Sequence, residues 1–357
     1  MDSTNNQATP LVTKETKNKI RVDYEGKLSF KDRIKAKFKS SYTWIKAIVN
    51  IFRFILMVGV SFVIIYPFIA RITASFMSFE DILDKTVSLI PKNPTLEIYE
   101  ALIVDNRYFE ALANTALLSL LCALVQMMVS CLVGYGLAKF KFKGNKLVMV
   151  LVVVTMIIPH SALQFAMTDN FGNFDFFRIL TFDTVGIIEL ISGSSINLSN
   201  SYAPLIILSI GGLAFKNGLY IYLMRQFFKG VPDELEESAY VDGSGTIRTF
   251  FQIILPLAVP MMITVFLFAF SWQWTDDFYT KIFFTAGLKE NKIYLMPDVY
   301  SVVTTRLNLP MGTTGKDMYD NVIQNTGGML IIAPLIILYL FCQKFLVQGI
   351  ERSGIVG

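Results

Sequence analysis

The sequence predicts an all-α, polytopic membrane protein with six transmembrane helices. Hydrophobic residues make up 53% of the 357 residues and charged residues only 17%, a composition far from that of an average soluble domain. The mean hydropathy of +0.51 agrees with this class. Six apolar runs occur along the chain, each about as long as a helix that crosses a bilayer.

The six runs are separated by polar segments and divide the chain into three regions. They cover residues 48–70, 115–138, 147–167, 202–224, 257–275 and 329–348. We therefore predict a tail over residues 1–47, a membrane domain over residues 48–348 and a short C-terminal tail over residues 349–357. We do not expect signal-peptide cleavage, because a polar, basic stretch of more than forty residues precedes the first run.

The N-terminal tail contains a basic, amphipathic stretch. Apolar residues recur at helical spacing over residues 30–45, among lysines and arginines, which predicts a helix lying on the inner leaflet. Attraction to anionic lipid, about 1 kcal/mol for each basic residue, is sufficient to explain this pattern, and a regulatory contact is the alternative. Residues 1–19 are rich in Asn, Thr and Lys and are predicted to be disordered.

Lysines near the ends of the runs indicate the orientation in the membrane. They crowd the N-terminal tail, and Lys139, Lys141, Lys143 and Lys146 fill the link between the second and third runs. Both regions are therefore expected in the cytoplasm. Six spans then place both termini inside, and residues 72–114, 168–201 and 276–328 outside. The outer segments also carry basic residues, so the charge pattern is a bias in favour of this orientation.

The segment over residues 231–256 is too polar to cross a bilayer and is called the knob below. Acidic residues favour the positive N-terminal end of a first short helix; they are Asp233, Glu234, Glu236 and Glu237. Gly243 suits a left-handed exit from that helix. Thr246 or Ser244 can cap a second short helix that ends at Pro256. Two short helices joined at a glycine form a compact projection that fits a groove on a partner protein.

The knob resembles the EAA loop of ABC-importer permeases. The matching residues are Glu237, Ser238, Ala239, Asp242, Gly243, Phe250, Ile253, Leu255 and Pro256. The preceding LMRQFF and PDELEE motifs, and the terminal QKFLVQGIERSGIVG, are similar to the second permease subunit of maltose-type carbohydrate importers. The resemblance extends from about residue 115 to the C-terminus. Ser238 and Ser244 stand where the family usually has alanine, and neither change alters the arrangement of helix, glycine and helix.

This resemblance implies a fold, a location and a set of partners. It implies the type I ABC-importer transmembrane fold in a bacterial inner or plasma membrane. The implied partners are a homologous second permease subunit, two cytoplasmic ATP-binding subunits and an extracellular solute-binding protein that delivers a carbohydrate. The aromatic segment over residues 168–201 is longer than the connection expected for the family, which suggests a folded cap or a docking surface for that binding protein.

The resemblance also assigns roles in coupling to the ATP-binding subunits. Glu237 and Asp242 would orient and anchor the knob, and Gly243 would set its turn. Phe250, Phe251 and Ile254 would provide the packing contacts of the knob. The full implied set is Glu237, Ser238, Ala239, Asp242, Gly243, Phe250, Phe251, Ile254 and Pro256.

Residues suited to catalysis are sparse, so an enzyme is not expected. His160 follows Pro159 within an apolar run and has no evident partners for a metal site. Cys122, Cys131 and Cys342 also fall in apolar runs, which is typical of small apolar residues. The chain has no GxxxxGK[ST] phosphate loop, so ATP is expected on partner subunits and no cofactor on this chain. The net charge of +4 reflects the basic tail and does not indicate nucleic-acid binding.

Lys216 and Asn217 are the first candidates for contact with a solute. They lie well within the fourth run, where a charge at the centre of the bilayer costs about 3 kcal/mol on insertion scales unless water or a partner compensates it. One interpretation is an inward-facing lysine on the pathway. The alternative, equally weighted, is a lysine near a misplaced lipid boundary that extends to the interface.

Trp272, Trp274 and Asp276, at the outer end of the fifth run, are the second set of candidates. Aromatic faces can stack on sugar rings, and carboxylates can accept hydrogen bonds from hydroxyl groups. The stretch is similar to the W-N-D-x-F stretch of sugar permeases, with Thr275 in place of Asn. However, Trp and Tyr also gather at any membrane interface, and that interpretation is favoured slightly.

Two other functional classes are consistent with a polytopic protein. A secondary transporter driven by an ion gradient would need ion ligands near the midplane of the membrane, and the runs contain almost no carboxylates. A membrane enzyme would need paired acids or a nucleophile and base at one depth, and no such set occurs. The importer is therefore the preferred hypothesis, and the secondary transporter is the alternative.

Overall fold

The structure, a computed structural model, describes residues 12–15, 21–24, 41–175, 194–284, 293–299 and 313–354. The chain divides into two compact units, Met1–Ala70 and Arg71–Gly357. Residues 30–40 of the predicted amphipathic helix lie outside the described residues, as do residues 176–193 of the predicted outer segment.

The first unit contains a small hairpin and most of a long helix. Strands β1 (Val12–Glu15) and β2 (Arg21–Tyr24) are antiparallel, with Val12 opposite Tyr24. The prediction of disorder over residues 1–19 is therefore wrong for β1, whose valine and threonine favour a strand. Helix α1 (Ser41–Ala74) contains the first apolar run. Its apolar side chains are exposed, as expected for a helix surrounded by lipid.

The second unit begins with short elements that lead into a long central helix. These are α2 (Phe79–Leu83), α3 (Glu97–Glu100) and a π-helical turn (Ala101–Asp105). Helix α4 (Tyr108–Lys139) contains the second run, and its buried residues include polar ones such as Gln126 and Ser130. The second span is thus confirmed as a continuous helix.

The third run is bent at its proline. Helix α5 (Asn145–Ile157) ends before Pro159, a 3-10 turn (His160–Leu163) follows, and α6 (Gln164–Gly172) continues the chain. The two halves meet at an angle of 93°. Pro159 causes the break, because proline disfavours a helical conformation in the preceding residue and has no N–H to donate.

The fourth run was expected to be one continuous span, and this expectation is wrong. It forms α7 (Ala203–Ile210) and α8 (Asn217–Gly230), with residues 211–216 between them. Gly212 and Lys216 both have positive φ, at 69° and 63°. The helical hydrogen-bond pattern cannot continue through left-handed residues, which the apolar composition of the run did not reveal.

The second half of the knob continues as a helix into the fifth run. Helix α9 (Glu234–Val241) is followed by α10 (Thr246–Thr249), a π-helical turn (Phe250–Ile254) and α11 (Leu255–Trp274). Together residues 246–274 form one helix long and apolar enough to span a membrane. The fifth span therefore extends into the knob.

The chain ends with α12 (Phe278–Phe283), α13 (Met296–Val299) and α14 (Thr313–Gly354). Helix α14 begins well before residue 329, so the outer segment predicted up to residue 328 is partly helical. Within the described residues, four helices are long and apolar enough to span: Trp44–Ala74, Tyr108–Lys139, Thr246–Trp274 and Asp317–Phe345. The bent pair would be a fifth. The all-α, polytopic class is confirmed, whereas six continuous spans are not found there.

Helix α4 is the centre of the second unit, where it packs against α7, α8 and α11. One core cluster joins α4, α8 and α11 to the knob through Tyr135, Phe228 and Phe250. A second cluster joins α4 and α7 to α12 through Leu118, Leu208 and Phe283, among others. The knob and the region around α12 are thus connected through the same central helix.

Candidate functional site

The first helix of the knob ends in a left-handed glycine, as predicted. Glu234, Glu236 and Glu237 occupy the first turn of α9, where the helix dipole favours negative charge. At the other end Gly243 has a φ of 82°. The Gly243 N–H donates to Tyr240 O at 3.0 Å, and the next N–H donates to Ala239 O at 2.9 Å. These two bonds form a Schellman motif, which fixes the exit of the chain.

The second helix of the knob differs from the prediction at both ends. Its N-cap is Gly245, without a side-chain capping bond, because the Ser244 hydroxyl lies 3.1 Å from Thr249 Oγ1 instead. Pro256 does not end the helix either, since it lies in the first turn of α11. The π-helical turn before it (Phe250–Ile254) changes the hydrogen-bond spacing, which lets the helix continue into a residue that lacks an N–H donor.

The predicted coupling residues separate into an exposed set and a buried set. Ala239, Phe250 and Ile254 are buried, and the last two belong to the core cluster with α4 and α8. The exposed residues are Glu237, Ser238, Asp242, Gly243, Phe251 and Pro256. Phe251 was expected to pack the knob, but 52% of it is exposed. The exposed residues are open to contact from outside the chain, whereas the buried ones hold the knob to the membrane helices.

Lys139 ties the knob to the end of α4. Its Nζ donates to Val231 O at 2.7 Å and to the Asp233 carboxylate at 2.5 Å. The lysine side chain is only 6% exposed, whereas that of Asp233 is 78% exposed. The hydrogen bond from Lys139 lowers the pKa of Asp233 below its usual value. From the sequence Lys139 was only an orientation signal, because its partner Asp233 lies 94 positions further along the chain.

The two helix breaks face a single cavity of about 410 Å³. Residues 155–161 at the first break and residues 212–219 at the second form its walls, together with Phe278. His160 lies at this cavity, and its Nδ1 is 2.7 Å from Tyr279 Oη. Its ring also contacts the ring of Phe215, with the centroids 4.9 Å apart. Within the described residues, no group of His, Cys, Asp or Glu could hold a metal ion.

Lys216 and Asn217 lie together at this cavity. Lys216 is exposed and left-handed, a conformation that costs a non-glycine residue about 1–3 kcal/mol. Its Nζ is 4.9 Å from the ring centroid of Phe215 and 5.2 Å from that of Trp272, distances typical of cation–π contacts. Asn217 is fully buried, and its Nδ2 lies 3.5 Å from Ser130 Oγ. The structure thus brings these two candidates together with Trp272.

Trp274 and Asp276 lie in different surroundings from Trp272. Trp274 is 3% exposed, and its indole N–H donates to Ile331 O at 2.9 Å. It is therefore a packing residue, and the idea that it stacks on a solute is wrong in this structure. Asp276 accepts a bond from the Tyr279 backbone N–H at 3.3 Å. Trp272 is 46% exposed and keeps a free ring surface.

Comparison with known proteins identifies the family. Residues 126–352 match the family described as "Binding-protein-dependent transport system inner membrane component". The chain belongs to this family. It is therefore a multi-pass membrane permease, and the resemblance seen in the sequence is confirmed.

Relatives of this permease match over most of their length. It is 26% identical over 310 residues to the galactooligosaccharides transport system permease protein GanQ of Bacillus subtilis (strain 168), covering 86% of this chain and 95% of GanQ. It is 27% identical over 302 residues to the maltodextrin transport system permease protein MalD of Streptococcus pneumoniae, covering 84% of this chain and 93% of MalD.

A solved structure supports the fold of this permease. The crystal structure of a bacterial ABC transporter involved in the import of the acidic polysaccharide alginate contains a chain that matches with a TM-score of 0.59. The two chains are 21% identical, and the match covers 85% of this permease and 98% of that chain. The permease therefore has the fold of an ABC-importer permease chain.

Proposed function

We propose that this permease forms half of the translocation pathway of an ATP-driven, binding-protein-dependent importer of an oligosaccharide. A homologous second permease subunit completes the pathway in this proposal. Two cytoplasmic subunits bind and hydrolyse ATP, and an extracellular protein delivers the solute. The knob and both termini lie on the cytoplasmic side of a bacterial plasma membrane.

The continuous helix from the knob into the membrane carries this proposal. Residues 246–274 form one helix, so a displacement of the second half of the knob, from Thr246 onwards, reaches the spanning part of α11 without an intervening loop. Lys139 attaches the start of the knob to α4. Movement of a partner against the exposed surface of the knob would therefore rock both spanning helices together.

The names of the relatives favour an oligosaccharide as the solute. GanQ is named for galactooligosaccharides and MalD for maltodextrin. Phe215 lines the cavity at the helix breaks, and the ring of Trp272 lies beside it, with the two ring centroids 5.3 Å apart. Such rings can stack on the apolar faces of sugars. We propose that Lys216 and Trp272 contact the solute as it passes, whereas Asn217, which is fully buried, supports the wall of the cavity.

A secondary transporter driven by an ion gradient is less consistent with the spanning helices. Each of the four long apolar helices in the described part of the chain has a window with at most two charged residues. Ion-coupled transporters place ion ligands near the middle of the membrane.

Purification of the membrane complex separates the two classes. Two ATP-hydrolysing chains that copurify, and hydrolysis stimulated by solute, support the importer, whereas uptake driven by protons or sodium through this chain alone contradicts it.

Substitution of Gly243 tests the coupling role of the knob. We expect Gly243→Asp to spare membrane insertion and to abolish coupled uptake, because Gly243 has a φ of 82° and any side chain there is strained. A Cβ at this position would meet no atom within 4 Å, so the effect cannot come from a clash inside the chain. Uptake into cells and the amount of permease in the membrane are the measurements.

Gly245→Asp is the matched control for this substitution. It adds the same charge two residues further along, at a φ of −80° and also in open space. Aspartate is a favourable N-cap there, so near-normal uptake is expected. Normal uptake in Gly243→Asp, or equal loss in both variants, would count against a coupling role for the left-handed turn.

A further inference from the structure

We propose that a groove beside the ends of α4 and α8 binds the headgroup of an anionic phospholipid, with Arg225 and four lysines around its phosphate. This inference goes beyond the proposed function, because it concerns a lipid and requires only that the chain spans a membrane. The groove is called the basic groove below. It has a volume of about 650 Å³ and is lined by residues 137–138 and 140–146 together with Arg225 and Lys229.

Five cationic side chains from two distant segments line the basic groove. They are Lys141, Lys143, Lys146, Arg225 and Lys229. Among the described residues that line it, none is acidic. The bias that places lysines near the ends of spans acts on each link by itself, and it does not require two segments to face the same groove. Like charges gathered in one place repel each other, so a bound anion would stabilise this arrangement.

Acidic residues in the described part of the chain compensate little of this charge. None of the five cations forms a salt bridge there. Asp233 lies close enough to be affected, since Lys139 and, to a smaller extent, Lys141 lower its pKa. However, the Asp233 carboxylate is already bound to Lys139 at 2.5 Å. The basic groove therefore keeps most of its positive charge for an external anion.

Arg225 provides the most specific contact for a phosphate. It lies on α8 and is half-buried, and its Nε is enclosed by protein without a hydrogen-bond partner. The guanidinium group is therefore partly removed from water, and no described carboxylate compensates its charge. A planar guanidinium group matches a phosphate through paired N–H donors. The lysines around it add charge with less geometric specificity.

Two exposed aromatic rings indicate that the anion belongs to a lipid. Phe140 and Phe142 alternate with the lysines along the groove and are 45% and 47% exposed. Cations interleaved with apolar side chains are typical of segments at the interface of lipid and water. The groove also lies where the spanning helix α4 ends, at Lys139. Basic pockets at this level bind anionic headgroups, whereas a free phosphate would leave both rings in water.

The test uses the purified whole importer in detergent micelles and a photoactivatable phosphatidylglycerol. Mass spectrometry maps the crosslinked peptides, and the yield at residues 137–146 and 225–229 is followed against three competitors. Phosphatidylglycerol has the anionic headgroup, phosphatidylcholine has the same chains with a compensated phosphate, and glycerol phosphate has no chains. We expect phosphatidylglycerol to displace the probe at a concentration about tenfold or more below that of phosphatidylcholine, as for one charge-assisted hydrogen bond. Glycerol phosphate should not displace it.

Variants of the cationic residues show whether the basic groove carries this preference. Arg225→Gln should weaken the binding of phosphatidylglycerol by about tenfold or more, and Arg225→Lys should retain much of it. The double variant Lys143→Gln with Lys229→Gln changes exposed residues only, so folding is preserved, and it should also remove most of the preference.

Arg248→Gln is the matched control, because it removes the same charge from the knob. Arg248 lies outside the basic groove, and its Nε donates to Gln252 Oε1 at 2.9 Å. This variant should keep the preference, and an equal loss would show that net charge determines binding and would overturn the inference.

Four further results would overturn the inference. The first two are equal competition by phosphatidylcholine and displacement by glycerol phosphate. The third is a preference that persists in both Arg225→Gln and the double variant. The fourth is an importer without crosslinks in the groove, as expected if an acidic surface of a partner subunit covers it. None of these results affects the proposed function, which copurification of ATP-hydrolysing chains and solute uptake test separately.

Discussion

Trp272 and Trp274 are two residues apart, and the structure gives them opposite surroundings. Trp274 is 3% exposed and Trp272 is 46% exposed. The spacing of two residues on a helix turns the second side chain by about 200°, so only one of them can face the core. From the sequence alone both tryptophans were equal candidates for solute contact. The choice between them depends on which side of α11 the final helix covers.

Alanine substitution at each tryptophan separates packing from solute contact. Trp274→Ala should destabilise the permease by about 3–5 kcal/mol, because it removes a large buried side chain. Trp272→Ala should leave the stability within about 0.5 kcal/mol and should reduce uptake. Thermal unfolding of the purified protein and uptake into cells are the two measurements. The reverse result, a stable Trp274→Ala that fails to transport, would place Trp274 on the pathway after all.

At the scale of the element, helices α4 and α8 approach so closely that a glycine is required between them. A Cβ built at Gly134 would lie 2.7 Å from Met224 Cβ and 2.9 Å from the backbone nitrogen of Arg225. Gly136, on the same helix, has no atom within 4 Å of its added Cβ. Both residues are part of an apolar run, and no sequence pattern distinguishes them.

Alanine at these two glycines should have opposite effects. Gly134→Ala should destabilise the fold by about 1–3 kcal/mol, because the backbone of α8 must move. Gly136→Ala should be neutral or should stabilise α4 by up to about 1 kcal/mol, because alanine favours a helix more than glycine does. Unfolding midpoints of both purified variants check this. A Gly134→Ala protein as stable as the wild type would mean that α4 and α8 pack less closely than described.

Two elements also show that a sequence can mislead about whether a helix is continuous. Hydropathy identified the run over residues 202–224, yet Gly212 and Lys216 interrupt it with left-handed backbone. The opposite occurs at Pro256, where a π-helical turn allows the helix to continue. Composition measures how much apolar surface a segment has. It does not report whether the surrounding structure stabilises a break in a helix or lets a helix continue through a proline.

At the scale of the whole molecule, the proposed orientation places the knob and the outer segments on opposite sides of the membrane. Val241 in the knob is 87% exposed, and Ile90 in the segment over residues 72–114 is 82% exposed. A single cysteine at either position should therefore be open to reagents from its own side. Cys122 and Cys131 are buried and should react slowly in both cases.

Labelling with a membrane-impermeant maleimide tests this orientation. Ile90→Cys should react in intact cells, and Val241→Cys should react only in inside-out vesicles. The wild-type permease gives the background from Cys342. Labelling of Val241→Cys in intact cells would place the knob outside, where cytoplasmic ATP-hydrolysing subunits could not reach it.

Amino-acid composition and a motif with fixed local spacing are enough to establish the membrane class, the helical character and the family. The left-handed turn at Gly243 belongs to this group, since glycine adopts that conformation without the steric cost that other residues meet. Tertiary structure decided which residues meet across the chain. The pair formed by Lys139 and Asp233, the burial of Trp274 and the cavity shared by two helix breaks all join distant segments. Only the packing of α4 against its neighbours brings those segments together, and no local pattern records that packing.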